Sequence, residues 1–199
     1  MAGEIQLNGT SFASESGGTI TVNNATIGSG VLFPAEHVIQ VKQFLYTSVY
    51  DVSLNGSSVF LPAPLGDGSA YIQMGSSSNK VLITIQLHYG HETSWRSGFA
   101  QVYTNNFTSS YDTGSETLIT GSGNAGTTGS NSYHMGGNTI TSSILYSPNT
   151  TNKAGFRIKV FGHNDGGSLH LNQNNQNDSA ANNNTFSISS SITLQEISV

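Results

Sequence analysis

Along residues 81–89 the chain reads Val-Leu-Ile-Thr-Ile-Gln-Leu-His-Tyr. Val81, Ile83, Ile85, Leu87 and Tyr89 share one face of an extended chain, and Thr84, Gln86 and His88 fall on the other. This is the pattern of a half-buried strand. The same period of two places Ile39 and Val41 opposite Gln40 and Lys42, and Phe156, Ile158 and Val160 opposite Arg157 and Lys159. Further strands are predicted at 49–54, 58–61, 70–74, 99–104, 117–120, 139–146 and 186–196. Asn-Gly, Gly-Asp-Gly, Asp-Gly-Gly and Ser-Pro-Asn separate them as turns. Short strands with frequent turns predict an all-β, antiparallel β-sandwich or jelly roll over residues 31–199.

Residues 1–30 differ. Ile5 with Leu7, and Ile20 with Val22, are brief apolar patches broken by Gly-Gly and followed by Gly-Ser-Gly. This is too little to bury a core, so the segment is expected to be an extended N-terminal arm with a boundary near residues 28–30. Ile5, Leu7, Phe12, Ile20 and Val22 are its candidate attachment contacts, spaced to enter grooves or to add a strand to a partner's sheet edge. Two polar tracts, 121–137 (Gly, Ser, Thr) and 172–185 (Asn, Gln), read as exposed loops. They are either recognition surfaces or plain connectors.

Composition supports the β class. Gly occupies 23 positions and charged residues only 9%, while eight Tyr and nine Phe argue against disorder. The six basic residues form no run and the net charge is -5, so neither nucleic acid nor membrane insertion is expected. With no cysteine there is no disulfide framework, and stability is left to packing and assembly. The first ten residues lack the charged and apolar pattern of a secretory signal, so synthesis in a cytoplasm and export by another route is expected. Low charge and many strands leave sheet edges and apolar patches for symmetric neighbours to cover.

Candidate chemistry is sparse. His88 and His91 stand three apart in His-Tyr-Gly-His-Glu, which on a strand sends them to opposite faces; only a turn at Gly90 would bring both to one metal. His163-Asn164-Asp165 reads as a turn rather than a calcium loop. Glu92, Asp112 and Glu116 are the carboxylates from which a glycosidase pair would have to come, against a plainer reading as loop surface charges. Trp95 with Arg96 is a core or interface anchor, or else a possible recognition surface that stacks on sugar rings. No nucleophile elbow, phosphate-binding loop or zinc-protease helix is present. The expectation is a protein that is not an enzyme and has no cofactor and no metal.

Three segments carry a resemblance. They are Val31-Leu-Phe-Pro-Ala-Glu-His-Val-Ile-Gln-Val41; Ser76-Ser-Ser-Asn-Lys-Val-Leu-Ile83; and Tyr146-Ser-Pro-Asn-Thr-Thr-Asn-Lys-Ala-Gly-Phe-Arg-Ile-Lys-Val160 with the closing Ile192-Thr-Leu-Gln-Glu-Ile197. In that order the chain resembles small structural proteins of tailed bacteriophages, particularly marine ones, described as tail-fibre or virion structural proteins. Glu36 stands where that pattern leads one to expect a small residue such as Gly. The resemblance implies a component on the virion exterior, made in the bacterial host cytoplasm. It further implies a homotrimer with other virion proteins as partners, and a globular head that meets a host-surface glycan or protein. A tail fibre or appendage and a capsid decoration or head-fibre protein are both consistent with it. A free carbohydrate-binding module is a third reading.

Overall fold

The computed structural model describes residues 4–7, 10–16, 19–22, 36–53, 58–91, 97–119, 125–128, 138–162, 168–172 and 188–199. The chain divides into two compact units, Met1–Pro34 and Ala35–Val199. In the first, β1 (Glu4–Leu7), β2 (Thr10–Ser16) and β3 (Thr19–Val22) form an antiparallel sheet in the order β1-β2-β3. The sequence reading expected an extended arm that orders against a partner; its strands also pair with one another. Each strand is short, but each pairs antiparallel with its neighbour in sequence, which makes up for the brevity of the apolar patches.

The second unit is an all-β sandwich, and no helix occurs among the described residues. Its strands are β4 (Val38–Tyr46), β5 (Tyr50–Ser53), β6 (Ser58–Phe60), β7 (Ala70–Gln73), β8 (Lys80–His91), β9 (Ser97–Phe107), β10 (Thr117–Leu118), β11 (Ala125–Thr128), β12 (Asn138–Tyr146), β13 (Lys153–Gly162), β14 (Ser168–Leu171) and β15 (Ser190–Ile197). Pairing is nested. β4 pairs β15, β6 and β7 pair β13, β8 pairs β12, and β9 pairs β10 and β11. β15 and β14 follow one another along the edge of β8 that β12 leaves open. The result is two six-stranded antiparallel sheets, each four strands wide: β4-β15-β8-β12, with β5 paired to β14 farther along β8, and β7-β13-β9-β11, with β6 and β10 farther along β13 and β9, which is jelly-roll pairing.

The core lies between the sheets. Val81, Ile83, Ile85, Leu87 and Tyr89 face inward from β8, and Phe156, Ile158 and Val160 from β13, as the period of two predicts. Fully burying a side chain such as Phe156 stabilises the fold by about 2–3 kcal/mol. Tyr146 meets its ring edge-on at 6.2 Å.

β4 corrects the sequence reading. Ile39 and Val41 point outward, while Gln40, Lys42, Phe44 and Tyr46 lie on the half-buried side. A buried carboxylate decides this. Glu196 has 0% exposure and accepts from Gln40 Nε2 (2.5 Å), the Gly75 N–H (2.7 Å) and Asn79 Nδ2 (2.6 Å). Gln40 must point inward to reach it, and the alternate residues then point out.

Other short elements differ from expectation. β14 was not predicted, and β11 lies inside the tract read as a loop at 121–137. Asn172, assigned to the second polar loop, is instead buried. Its amide donates to the Tyr46 and Ser48 carbonyls (2.7 and 2.9 Å) and its Oδ1 accepts from Ser190 Oγ (2.7 Å). It fills the gap between β14 and β15 with hydrogen bonds that a continuous strand would have made.

Turns account for the left-handed backbone positions. Gly68 has φ +85°, and a Cβ there would overlap the Tyr111 ring. Glu36 has φ 68° and donates its N–H to Ser198 O at 2.9 Å. This conformation costs a non-glycine residue about 1–2 kcal/mol.

Two stability predictions follow from these positions. Glu36→Gly should raise unfolding free energy by up to about 1 kcal/mol and Glu36→Val should lower it, read by urea denaturation. Glu196→Gln turns one acceptor into a donor facing N–H groups. It should cost about 1–3 kcal/mol, whereas Ser109→Asp, at an exposed position of the 108–116 loop, should be close to neutral.

Candidate interaction surfaces

Sequence-selected positions separate by element. Ile5 and Leu7 lie on β1, Phe12 on β2, and Ile20 and Val22 on β3. Trp95 and Arg96 lie outside the described residues, as do Glu92, His163 and Asp165. His88 and His91 both belong to β8 without a turn between them, so the strand alternation assigns them to opposite faces. Among the described residues no group of three or more His, Cys, Asp or Glu side chains gathers as a metal site. No described helix is long and apolar enough to cross a membrane.

The two described carboxylates that sequence made candidate acids are engaged structurally. Glu116 Oε2 accepts from Arg157 Nη1 at 2.7 Å and from the Tyr111 hydroxyl at 3.2 Å. Burial, reinforced by the adjacent Glu116 carboxylate, pushes the Tyr111 phenol well above its usual range. Asp112 accepts from Ser115 Oγ (2.6 Å) and the Gly114 N–H (2.9 Å). Those hydrogen bonds hold its carboxyl below the usual range. These contacts tie the 108–116 loop down over β13 rather than presenting two carboxylates across a cleft.

The outer face of β7-β13-β9 is aromatic and cationic. The Arg157 guanidinium lies 3.6 Å from the Phe60 ring centre, and Lys159 sits 5.2 Å from Phe60 and 5.7 Å from Tyr103. Lys153 and Lys42 approach Tyr71 at 5.0 and 4.8 Å. Phe107 and Tyr111 close over Gly155, where a Cβ would come within 2.6 Å of Phe107 and 2.7 Å of Tyr111. This face is covered from within the chain.

The opposite outer face, on β4-β15-β8-β12, is different in kind. Ile39, Val41 and Leu45 project from edge strand β4, with Val38 beside them, and Leu145 projects from β12. Val41 is 55% exposed and Leu145 57%. A bulge between Glu196 and Ile197 sets Val38 and Ile39 side by side at the start of β4. Thr84, Gln86, Thr141, Ser143, Thr193 and Gln195 fill the centre, and Lys80 at one end is its one charged side chain among the described residues of these four strands. Sequence reasoning missed this surface. Its signal was present: residues 38–46, Val-Ile-Gln-Val-Lys-Gln-Phe-Leu-Tyr, are apolar on both parities.

No protein-family model matches the chain, and no curated protein matches it. Among solved structures it is similar to the infectious bursal disease virus VP2 subviral particle, at 6% identity and a TM-score of 0.39, over 89% of this chain and 43% of that one. It is also similar to the T13 particle of the same virus (8% identity, TM-score 0.40, 89% and 40%) and to its Gx strain (6%, 0.38, 88% and 42%). The chain spans about two fifths of the length of those structures.

Burial lowers the pKa of His88, whose Nδ1 is 3.0 Å from Thr139 Oγ1. The unfolded chain therefore binds this proton more readily than the folded one. Stability is full above the ordinary histidine value near ~6.5 and declines as pH falls below it, toward the depressed folded value. The urea midpoint should drop between pH 7.5 and pH 5, and His88→Gln should shrink that drop.

Proposed function

We propose that the protein is a non-enzymatic structural component of a tailed-bacteriophage virion, a trimeric tail-fibre or appendage subunit. Residues 1–30 attach it, and the sandwich serves as a head exposed to the host surface. Jelly rolls build viral capsid, lectin and cupin domains alike, so the fold alone does not choose among them. The observation that carries the reading is the apolar outer face of β4 and β12, where five large aliphatic side chains stand exposed on two edge strands. A long apolar edge is an aggregation hazard in a free monomer and an ordinary feature of a subunit that is covered in assembly. The three-segment phage resemblance supplies the kind of assembly. The engagement of Asp112 and Glu116 in loop-holding contacts favours a structural over a hydrolytic role. Capsid decoration rests on the same resemblance, and copy number separates it from the tail reading.

Two experiments test this. Antibody against the chain should label purified particles at the tail, and quantitative mass spectrometry should find few copies per particle. Many copies would indicate capsid decoration, and absence from particles would remove the virion reading. Deleting residues 1–34 should leave a folded sandwich, since the second unit has its own core, that no longer incorporates; incorporation at normal copy number would place the anchor in the sandwich.

A further inference from the structure

Four of the chain's six basic residues, Lys42, Lys153, Arg157 and Lys159, meet rings on the second sheet's side of the sandwich. Of the other two, Lys80 begins β8 and Arg96 lies outside the described residues. The fold thus gathers positive charge that is scattered in the sequence, on a chain whose net charge is -5. Carboxylates on this side belong to the two segments that close around Arg157. They are Glu116 and Asp112 in the 108–116 loop, and Asp67 in the turn whose Gly66 carbonyl accepts from Arg157 Nε.

Lys159, two residues farther along β13, pairs with none of these carboxylates. Its ammonium faces three rings instead, 5.2 Å from the centre of Phe60, 5.7 Å from Tyr103 and 6.0 Å from Phe161. Register sets Phe60, Lys159 and Gln101 side by side in one row across β6, β13 and β9. The Tyr103 hydroxyl donates to Gln101 Oε1 at 3.3 Å, which orients that amide and leaves its two N–H donors over. All five side chains are half-buried, so packing holds them in place while solvent still reaches them.

We propose that Lys159, Gln101 and the rings of Phe60, Tyr103 and Phe161 form a binding site for an acidic saccharide. A sugar carboxylate pairs with the Lys159 ammonium, the C–H face of the sugar ring lies on the aromatic side chains, and a sugar hydroxyl accepts from the Gln101 amide. The proposal rests on the reading of the sandwich as a head exposed to the host surface, and names the chemistry that the head meets there.

Charge and composition select this ligand. Rings attract a cation less strongly than a carboxylate does, so the three rings station the ammonium without satisfying it, and an arriving anion gains a charge-assisted hydrogen bond. Because the rings and the amide are already placed, little ordering is lost on binding. A nucleic acid or polyphosphate carries a charge at every few ångströms and needs a run of free cations. Here the nearest cation along the strand, Arg157, is already paired with Glu116, and the acidic chain as a whole repels a dense polyanion. A single unpaired cation among rings and an amide matches a polymer whose charges are spaced by whole sugar residues.

Isothermal titration calorimetry on the full chain tests the site. The probes are a galacturonate hexamer, a sialic acid hexamer, maltohexaose as the neutral counterpart and inorganic polyphosphate. At least one acidic hexamer should bind about tenfold or more tighter than maltohexaose, and which one it is separates a uronate from a sialate. Lys159→Gln should weaken that binding about tenfold, Lys159→Arg should restore most of it, and Lys80→Gln, on the other sheet, should leave it unchanged. Phe60→Leu should weaken it severalfold, and the thermal unfolding of each variant separates lost binding from a lost fold. Equal binding of maltohexaose, or acidic-sugar binding that Lys159→Gln leaves intact, would overturn the proposal. So would polyphosphate binding tighter than either acidic hexamer, or no binding of either hexamer at millimolar concentration. Failure of this kind with the particles still labelled would remove the site and leave the virion reading standing.

Discussion

The buried carboxylate of Glu196 determines which way the first strand of the sandwich faces. Removing a carboxylate from water costs several kcal/mol, and three N–H donors at 2.5–2.7 Å offset that cost. One donor comes from β4, one from the backbone of the turn after β7, and one from Asn79 just before β8. Glu196 thus joins the last strand to the first strand of the sandwich and to the crossing between the sheets. Because Gln40 must turn inward, Phe44 and Tyr46 turn inward with it and Ile39, Val41 and Leu45 turn out. A polar contact inside the protein creates the apolar surface outside it.

This is why β8 and β13 were legible in the sequence and β4 was not. On β8 and β13 one parity is aliphatic or aromatic and the other is mostly polar, so burial follows directly from the pattern. On β4 both parities are apolar in part, and the choice between them is made by a residue 156 positions away. β14, Ser-Leu-His-Leu, is too short to show a period. Its partner strands reveal it, and Asn172 continues the pairing with a side chain where a strand would use backbone. β11 is disguised by composition: Ala-Gly-Thr-Thr inside a Gly- and Ser-rich tract becomes a strand because β9 offers it an edge. Glu36 takes a left-handed backbone, a conformation that favours Gly and that no period-two pattern reveals.

The two outer faces of the sandwich solve the same problem differently. On the second sheet, aromatic rings would be exposed if the chain did not fold over them. Tyr111 and Glu116 bring the 108–116 loop down, Arg157 stacks on Phe60 while its Nε donates to the Gly66 carbonyl at 2.7 Å, and Gly155 leaves room for two rings. Asp112 and Glu116, which looked like free acids in the sequence, belong to that closure. On the first sheet no comparable loop is seen over the apolar edges among the described residues.

That asymmetry has an energetic consequence for assembly. Covering a half-exposed Val or Leu is worth about 1 kcal/mol, so the three β4 side chains and the Leu145–Leu82 edge supply roughly 5 kcal/mol per contact before polar terms. Bringing two subunits together costs an estimated ~4–15 kcal/mol in lost freedom. A single contact of this kind is therefore weak on its own, consistent with a face whose centre is Thr, Ser and Gln rather than a continuous apolar core. Coverage of this face therefore needs contacts beyond its two apolar edges: the Thr, Ser and Gln side chains between them must find hydrogen-bond partners across the contact, or their desolvation cancels what the aliphatic edges gain.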